Sequence, residues 1–300
     1  MTAFVNECRK YLARGSVLVL LAVAVAITAL NQWGAHSRLE SRRAQYAEIR
    51  VAIERAIESG DVTREEVEGD LELVAEEEAA MDDQARMFAF PRSMQIGLQS
   101  LATAGSLPIA LAAGLVFGSE FAWGTHRTAI ALGRKRRTVI IMQYTAFSTA
   151  ALGTIPATAL LATLIDLLRA DGISQPGGWS GLAAAAAGAI VAILLWSAVG
   201  LLSAVLTKSV GAAVIVVAMV WVAIYFISFL GPTWREWSLA NLVVQMVVFD
   251  ASKFLTSPFL AIAGVDAVGV SLGRAALTLT AAGLLAAVGA VARFVRAEIR

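Results

Sequence analysis

Residues 118–137 read GSEFAWGTHRTAIALGRKRR. They separate two charge-free runs, Ser93 to Ser119 and Thr138 to Ile165, and place one acid and five bases between them. A membrane-spanning helix needs about 20 mostly apolar residues, because the bilayer core offers backbone N–H and C=O groups no partner outside the helix. Both flanking runs exceed that length, so the stretch reads as a loop between two spans. Its bases set the side it faces, since short loops rich in lysine and arginine stay in the cytoplasm.

The same reading extends outward. Of the 300 residues, 58% are hydrophobic and 16% charged, and the mean hydropathy is +0.71, far on the apolar side of a soluble domain. Further charge-free runs cover Gly15 to Ser37, Gly172 to Thr207 and Ser209 to Trp234. Ala275 to Ala292 is shorter but bracketed by Arg274 and Arg293, whose long side chains can snorkel to the interfaces. The expectation is an all-α integral membrane protein with six transmembrane helices at 15–35, 93–118, 138–168, 180–206, 209–231 and 273–293. Arg9, Lys10 and Arg14, Arg127 and Arg134 to Arg137, Lys208, and Arg293, Arg296 and Arg300 then share one side. Both termini are therefore expected in the cytoplasm of a bacterial cell, with the chain in its plasma membrane. No cleavable signal peptide is expected, because Asn31 and Trp33 follow the first apolar run where small residues would be needed.

Charge is unevenly spread. Residues 38–92 hold eight bases and fifteen acids, a charge of −7 within a chain of net +1. This first outer segment, 36–92, predicts an extracytoplasmic helical hairpin. Leu39, Tyr46, Ile49 and Ile53 repeat at helical spacing, Gly60 offers a stop, and Thr63 with Glu66 forms a capping-box pattern ahead of Val67, Leu71 and Val74. Its acidic runs, Glu76 to Glu78 and Asp82 with Asp83, could bind calcium or a cationic ligand, but with no EF-hand spacing present they read first as a solvated face. Residues 232–272 are apolar but interrupted by Pro232, Asp250, Lys253, Pro258 and Asp266, so they predict re-entrant or interfacial helices. Trp234 and Trp237 suit an interfacial aromatic belt. Residues 1–14 predict an amphipathic helix on the inner membrane surface, with Phe4, Cys8, Tyr11 and Leu12 on one face and Glu7, Lys10 and Arg14 elsewhere.

No catalytic constellation stands out. The single cysteine, Cys8, and two histidines, His36 and His126, leave no disulfide pair and no cysteine or histidine metal centre. There is no GxxxxGK[ST] loop, HExxH or GxSxG, and nothing suggests a nucleic-acid partner. Gly114 and Gly118 form a GxxxG that reads as close helix packing. Glu120 and Asp166 are the acids placed at span edges, where a charge is costly. Gly124 permits a sharp turn as the second span ends. Thr125 can then cap a short helix to Leu132 lying along the membrane, with Trp123, His126 and Ile130 to one side.

The segment SEFAWGTHRTAIALGRKRRTVIIMQY resembles the region between the second and third spans of ABC-2 type transporter permeases. Those proteins show a glutamate, three intervening residues, Gly-Thr, an amphipathic stretch ending in a base, and a lysine seven residues on. Glu120, Gly124 and Thr125 match, and Arg136 stands at the basic position. Gly133 replaces a frequent proline and Gln143 the usual lysine. The start NECRKYLARGS is similar to the amphipathic segment before the first span of that family, and the six spans, large outer loop and broken helices extend the similarity over nearly the whole chain.

The resemblance implies a non-enzymatic permease subunit of an ABC exporter, paired with a second copy or a paralogue. A separate ATPase subunit would carry ATP and magnesium, and no cofactor would sit on this chain. It implies a coupling helix between spans two and three, with Glu120, Trp123, Gly124, Thr125 and Arg127 as ATPase-coupling residues and Phe4, Glu7, Lys10 and Tyr11 on the interfacial helix. Glu120 is then expected to pair with Arg127 or with a base on the ATPase. The cargo class that apolar, charge-poor spans suit is hydrophobic or amphiphilic: a drug, peptide antibiotic or lipid. Membrane lipids complete the partners. The alternatives are an ion-coupled secondary carrier using Glu120, Asp166 or Asp250, and a non-transporting immunity or scaffold protein.

Overall fold

A computed structural model describes residues 2–87, 90–169, 179–227 and 271–296, with Trp234, Glu236 and Leu242 as isolated positions. The expected re-entrant helices at 232–272, with Asp250 and Asp266, lie outside the described residues except for those isolated positions. The described elements are all helices: α1 (Thr2–Leu12), α2 (Gly15–Ser59), α3 (Glu68–Met87), α4 (Arg92–Ala102), α5 (Ser106–Ala122), α6 (Thr125–Ala131), α7 (Arg136–Leu152), α8 (Thr154–Arg169), α9 (Trp179–Thr207), α10 (Val210–Ile227) and α11 (Leu272–Arg296).

Four helices or helix pairs among them are long and apolar enough to cross a membrane: α2, the α7–α8 pair, α9 and α11. The α4–α5 pair makes a fifth, bent by 45° at its break, and α10 offers a shorter apolar stretch, Val210–Ile224. The chain is thus a multi-pass membrane protein. The second span departs from the sequence reading, which made 93–118 one unbroken helix. The reason lies in proline. Pro108 has no N–H for the carbonyl of Ala104 and its ring crowds that carbonyl, so the helix breaks at 103–105. Pro156 stands in the same relation to Leu152, and the chain turns at Gly153 between α7 and α8. The polar groups at the first break are satisfied locally: the Gly105 amide donates to Ser100 O at 2.9 Å, and the Trp221 indole of α10 donates to Ser106 Oγ at 3.0 Å.

The centre of the bundle is α9, two-thirds of whose apolar window is buried, against a third or less for α2, α7–α8 and α11. It packs against α5, α11, α4, α10 and α7, mostly through Ala185, Ala189, Ala192, Ile193, Trp196 and Leu201. The poorly buried helices turn residues such as Leu160, Leu164, Leu277, Leu285 and Val288 outward, as lipid-facing spans require. The GxxxG performs the expected packing. A Cβ at Gly118 would lie 2.8 Å from Val210 Cα, and one at Gly114 3.4 Å from Ala213 O, so α10 lies backbone to backbone on α5.

The outer hairpin forms largely as its pattern predicts, with one change: α2 runs without interruption from the membrane into the hairpin, so no boundary exists near residue 36. It stops at Gly60, whose left-handed backbone (φ 77°) lets its amide reach Ala56 O and Ile57 O. The Glu66 carboxylate accepts from the Thr63 amide at 2.8 Å, which also holds that carboxyl below its usual range. Leu39, Met81 and Ile96 join α2, α3 and α4. Arg43 pairs with Asp82 and Arg50 with Glu78 across the hairpin, exposed pairs worth little each.

Replacing Gly118 by leucine should lower stability by about 1–3 kcal/mol through overpacking against α10. Gly211→Ala, where nothing lies within 4 Å of the new Cβ, should be neutral or stabilising by up to about 1 kcal/mol. Thermal melting of the two variants in detergent tests this contrast; equal melting temperatures would contradict the packing.

Candidate functional site

One end of the bundle gathers what the sequence scattered. Gly118 meets Val210 beside Lys208, Phe121 and His126 meet Phe294 of α11, and Arg136 Nη1 donates to Val295 O at 3.3 Å. The bases of 9–14, 127–137, 208 and 293–296 therefore share one end of the bundle.

At the centre of that end is Glu120, on the last turn of α5 and with no exposed surface. Lys10 Nζ approaches Glu120 Oε2 at 2.7 Å and Arg14 Nη2 approaches Oε1 at 2.6 Å. Gln143 Nε2 of α7 donates to Oε2 at 3.3 Å, and Arg14 Nη1 donates to Ser119 Oγ at 2.9 Å. Lys10 also reaches Glu7 Oε2 at 3.5 Å, so two cations and two carboxylates balance. This corrects the expected pairing: Glu120 is matched to Lys10 and Arg14 of its own chain, not to Arg127, and it is buried away from any docking protein.

The clasp places α1 differently from the expected surface helix. Tyr11 is fully buried and meets the Phe147 ring edge-on at 6.3 Å. Cys8 Sγ lies 3.8 Å from Ala146 O, and Phe4 packs on the same core. The apolar face of α1 thus covers α7, while Leu12 is exposed. Lys10 turns inward with that face. Burial, aided by the Glu120 and Glu7 charges, pushes the Tyr11 phenol up.

The chain leaves α5 through Gly124, in the left-handed region (φ 65°), and continues as the short helix α6. Gly124 itself is the cap. Thr125 makes no capping bond; its Oγ1 donates back to Glu120 O at 3.0 Å, tying the elbow to α5. The expected common face of Trp123, His126 and Ile130 is not formed. Trp123 is 69% exposed, whereas His126 is 3% exposed, its ring 4.4 Å from Phe121 and 5.0 Å from Phe294. Arg127 is exposed. The Arg14 guanidinium lies 4.9 Å from the Trp123 ring centre, within cation–π range, so one arginine joins Ser119, Glu120 and Trp123. Sequence reasoning missed that role of Arg14. Helical spacing could not reveal it, because α1 ends at Leu12 and Arg14 is an extended residue ahead of α2.

Asp166 is the other buried acid, in α8 at the opposite end, with Ser93 Oγ 3.4 Å from Oδ2. Arg169, one turn on, pairs instead with Glu40 at 2.8 Å and lies 3.5 Å from the Trp33 ring centre. Among the described residues no three His, Cys, Asp or Glu side chains converge to hold a metal.

Glu120→Gln should cost about 2–4 kcal/mol, the lower part of the range for a broken buried pair because Lys10 retains solvent. It should also expose Cys8, the sole cysteine, so maleimide labelling ought to accelerate. The uncharged triple variant Lys10→Met, Arg14→Met, Glu120→Met should restore slow labelling; fast labelling there would mean that packing, not charge, was lost.

His126 gives a pH dependence. Burial lowers its imidazole to about 4, against the opposing influence of Glu120, while an unfolded histidine titrates near 6.5. Between those values the unfolded chain binds the extra proton, so stability falls as pH drops from about 6.5 towards 4 and is level above 6.5. The gap in melting temperature between His126→Phe and wild type should therefore widen in favour of the variant between about pH 7 and pH 5.

No family model, curated protein or solved structure matches this chain.

Proposed function

We propose that this chain is the membrane-spanning subunit of an ABC exporter, driven by a separate ATPase subunit and completed by a second copy or a paralogue. The observation that supports this most directly is the elbow at the basic end. There α5 ends at the exposed Trp123 and turns through Gly124 into a short surface helix whose inner side is anchored by His126 and whose outer side carries the exposed Arg127. A membrane helix that needed only to return across the bilayer would require no such anchored, outward-facing segment.

In this reading α6 is the coupling helix, and Trp123 and Arg127 are its contact residues. Glu120, Gly124 and Thr125 are positioning residues that hold α6 on α5. A displacement of α6 by the ATPase passes to α11 through His126 and Phe294, and to α1 and α2 through Arg14. Closure of two ATPase subunits would bring two such elbows together, and the bundles would alternate between states of different substrate affinity. ATP and magnesium would be bound by the partner, and the cargo, a hydrophobic or amphiphilic molecule, would pass between the two membrane halves of a bacterial plasma membrane.

A second reading, an ion-coupled carrier, draws on Asp166, buried in the bundle with the Ser93 hydroxyl at 3.4 Å and a hydrogen bond from the Phe90 backbone. Glu120 does not serve that reading, because two cations already hold it. Transport by the purified chain under a proton gradient without ATP, lost in Asp166→Asn, would select it.

The exporter reading expects no ATP hydrolysis by the purified chain alone and co-purification with an ATPase encoded beside it. Trp123→Asp should weaken that co-purification at least about tenfold, the size of one central interface contact, without moving the melting temperature by more than a few degrees. Hydrolysis by the chain alone, or unchanged co-purification, would overturn it.

A further inference from the structure

The tail of the opening stretch, Arg134 to Arg137, is not used by the elbow. Arg134, Lys135 and Arg137 are exposed at the corner between α6 and α7, and Arg293 and Arg296 are exposed on the last turn of α11. The Arg136 bond to Val295 O at 3.3 Å fastens these two groups together, so five exposed cations from distant parts of the sequence share one corner. The described acids at this end are Glu7, engaged with Lys10, and Glu120, buried in the clasp. Nothing acidic among the described residues neutralises the corner. Between the cations stand two exposed apolar side chains, Leu132 at 79% and Val295 at 41% exposure.

We propose that this corner is a binding surface for the headgroups of anionic phospholipids. The cations flank the point where two apolar helices end, α7 beginning at Arg136 and α11 finishing at Arg296, which is the level at which lipid phosphates lie. Guanidinium groups match phosphate oxygens in a bidentate fork, and their long stems can follow the apolar surface to the interface. Leu132 and Val295 then reach the acyl boundary. An acidic protein surface would satisfy the charges but leave those two side chains without an apolar environment. The sidedness rule accounts for the sign of each loop; it does not require that loops 160 residues apart in sequence, about the separation of Arg134 and Arg293, be bonded into one patch. The patch excludes Trp123 and Arg127, so it does not depend on the exporter reading.

The full chain would be reconstituted in vesicles of equal phosphatidylglycerol and phosphatidylcholine, re-extracted in detergent and repurified, and the retained lipids counted by mass spectrometry. Wild type should retain phosphatidylglycerol over phosphatidylcholine at least roughly tenfold, given several bases near an anionic surface. The Arg134→Gln, Lys135→Gln, Arg137→Gln variant should fall to within about twofold, and Arg293→Gln, Arg296→Gln should fall partway, giving a second test should the first variant fold poorly. Arg42→Gln, Arg55→Gln, Arg64→Gln on the outer hairpin should behave as wild type. Retention in the vesicle ratio by wild type, or unchanged preference in both corner variants, would overturn the proposal. So would no lipid preference combined with loss of an acidic protein partner from the corner variants, which would make the patch a protein surface.

Discussion

A carboxylate taken wholly out of water at the edge of a bilayer has to be matched by opposite charge, and the way Glu120 is matched organises one whole end of this molecule. Its two oxygens take Lys10 and Arg14 separately, so the only way to satisfy it is to lay the N-terminal helix across α5 and α7. Once α1 is there, Tyr11 fills the space beside Phe147, and the chain enters α2 at a fixed point. Removing Glu120 would leave the mostly buried Arg14 without a carboxylate and Lys10 with Glu7 alone, which is why such a cluster specifies an arrangement more strongly than its net energy suggests.

The rest of the bundle is held by the opposite chemistry. Small residues such as Gly114, Gly118 and Gly200 let α5, α9 and α10 approach closely, with Phe117, Trp196 and Trp221 filling the space beside them. Between membrane helices there is no solvent to expel, so close packing and internal hydrogen bonds must supply the association. Many of the serine and threonine hydroxyls bond within their own helices, as Ser197 does to Ile193 O at 2.7 Å, whereas Thr158 Oγ1 is buried without a hydrogen-bond partner among the described residues.

The all-helical, multi-pass character, the hairpin with its Gly60 stop and the turn at Gly124 were legible in the sequence, because each rests on a local rule: apolar length, helical periodicity, or a backbone conformation that glycine adopts cheaply. What was not legible depends on contacts between distant segments. That Glu120 meets Lys10 and Arg14 across more than a hundred residues, or that His126 sits against Phe294, follows from packing that periodicity does not encode. Thr125 illustrates a competition between local rules: with Gly124 already in the left-handed conformation as cap, the hydroxyl was free to bond backwards to Glu120 O. The helix breaks were readable in principle, since Pro108 and Pro156 each deny a bond four residues upstream, but an apolar-run criterion is blind to them.

Those two breaks have a structural relation that bears on how an impulse at the elbow would travel. Each divides a span into halves, and the halves pair by level: α4 packs on α8, and α5 on α7. The elbow, with α1 and α6, packs on α5 and α7, touches α2 and, through Phe294, reaches α11; the hairpin contacts α4 through Ile96 and is joined to α8 by the Arg169–Glu40 pair. The bundle is therefore an inner block clasped by Glu120 and an outer block clasped by the hairpin, joined through α2, α9 and α11, which run unbroken between the two. A movement imposed on α6 meets rigid contacts inward of the breaks and proline-weakened backbone at them. If α6 receives an ATPase as proposed, the clasp would hold the Glu120 end together while the chain bends at the breaks.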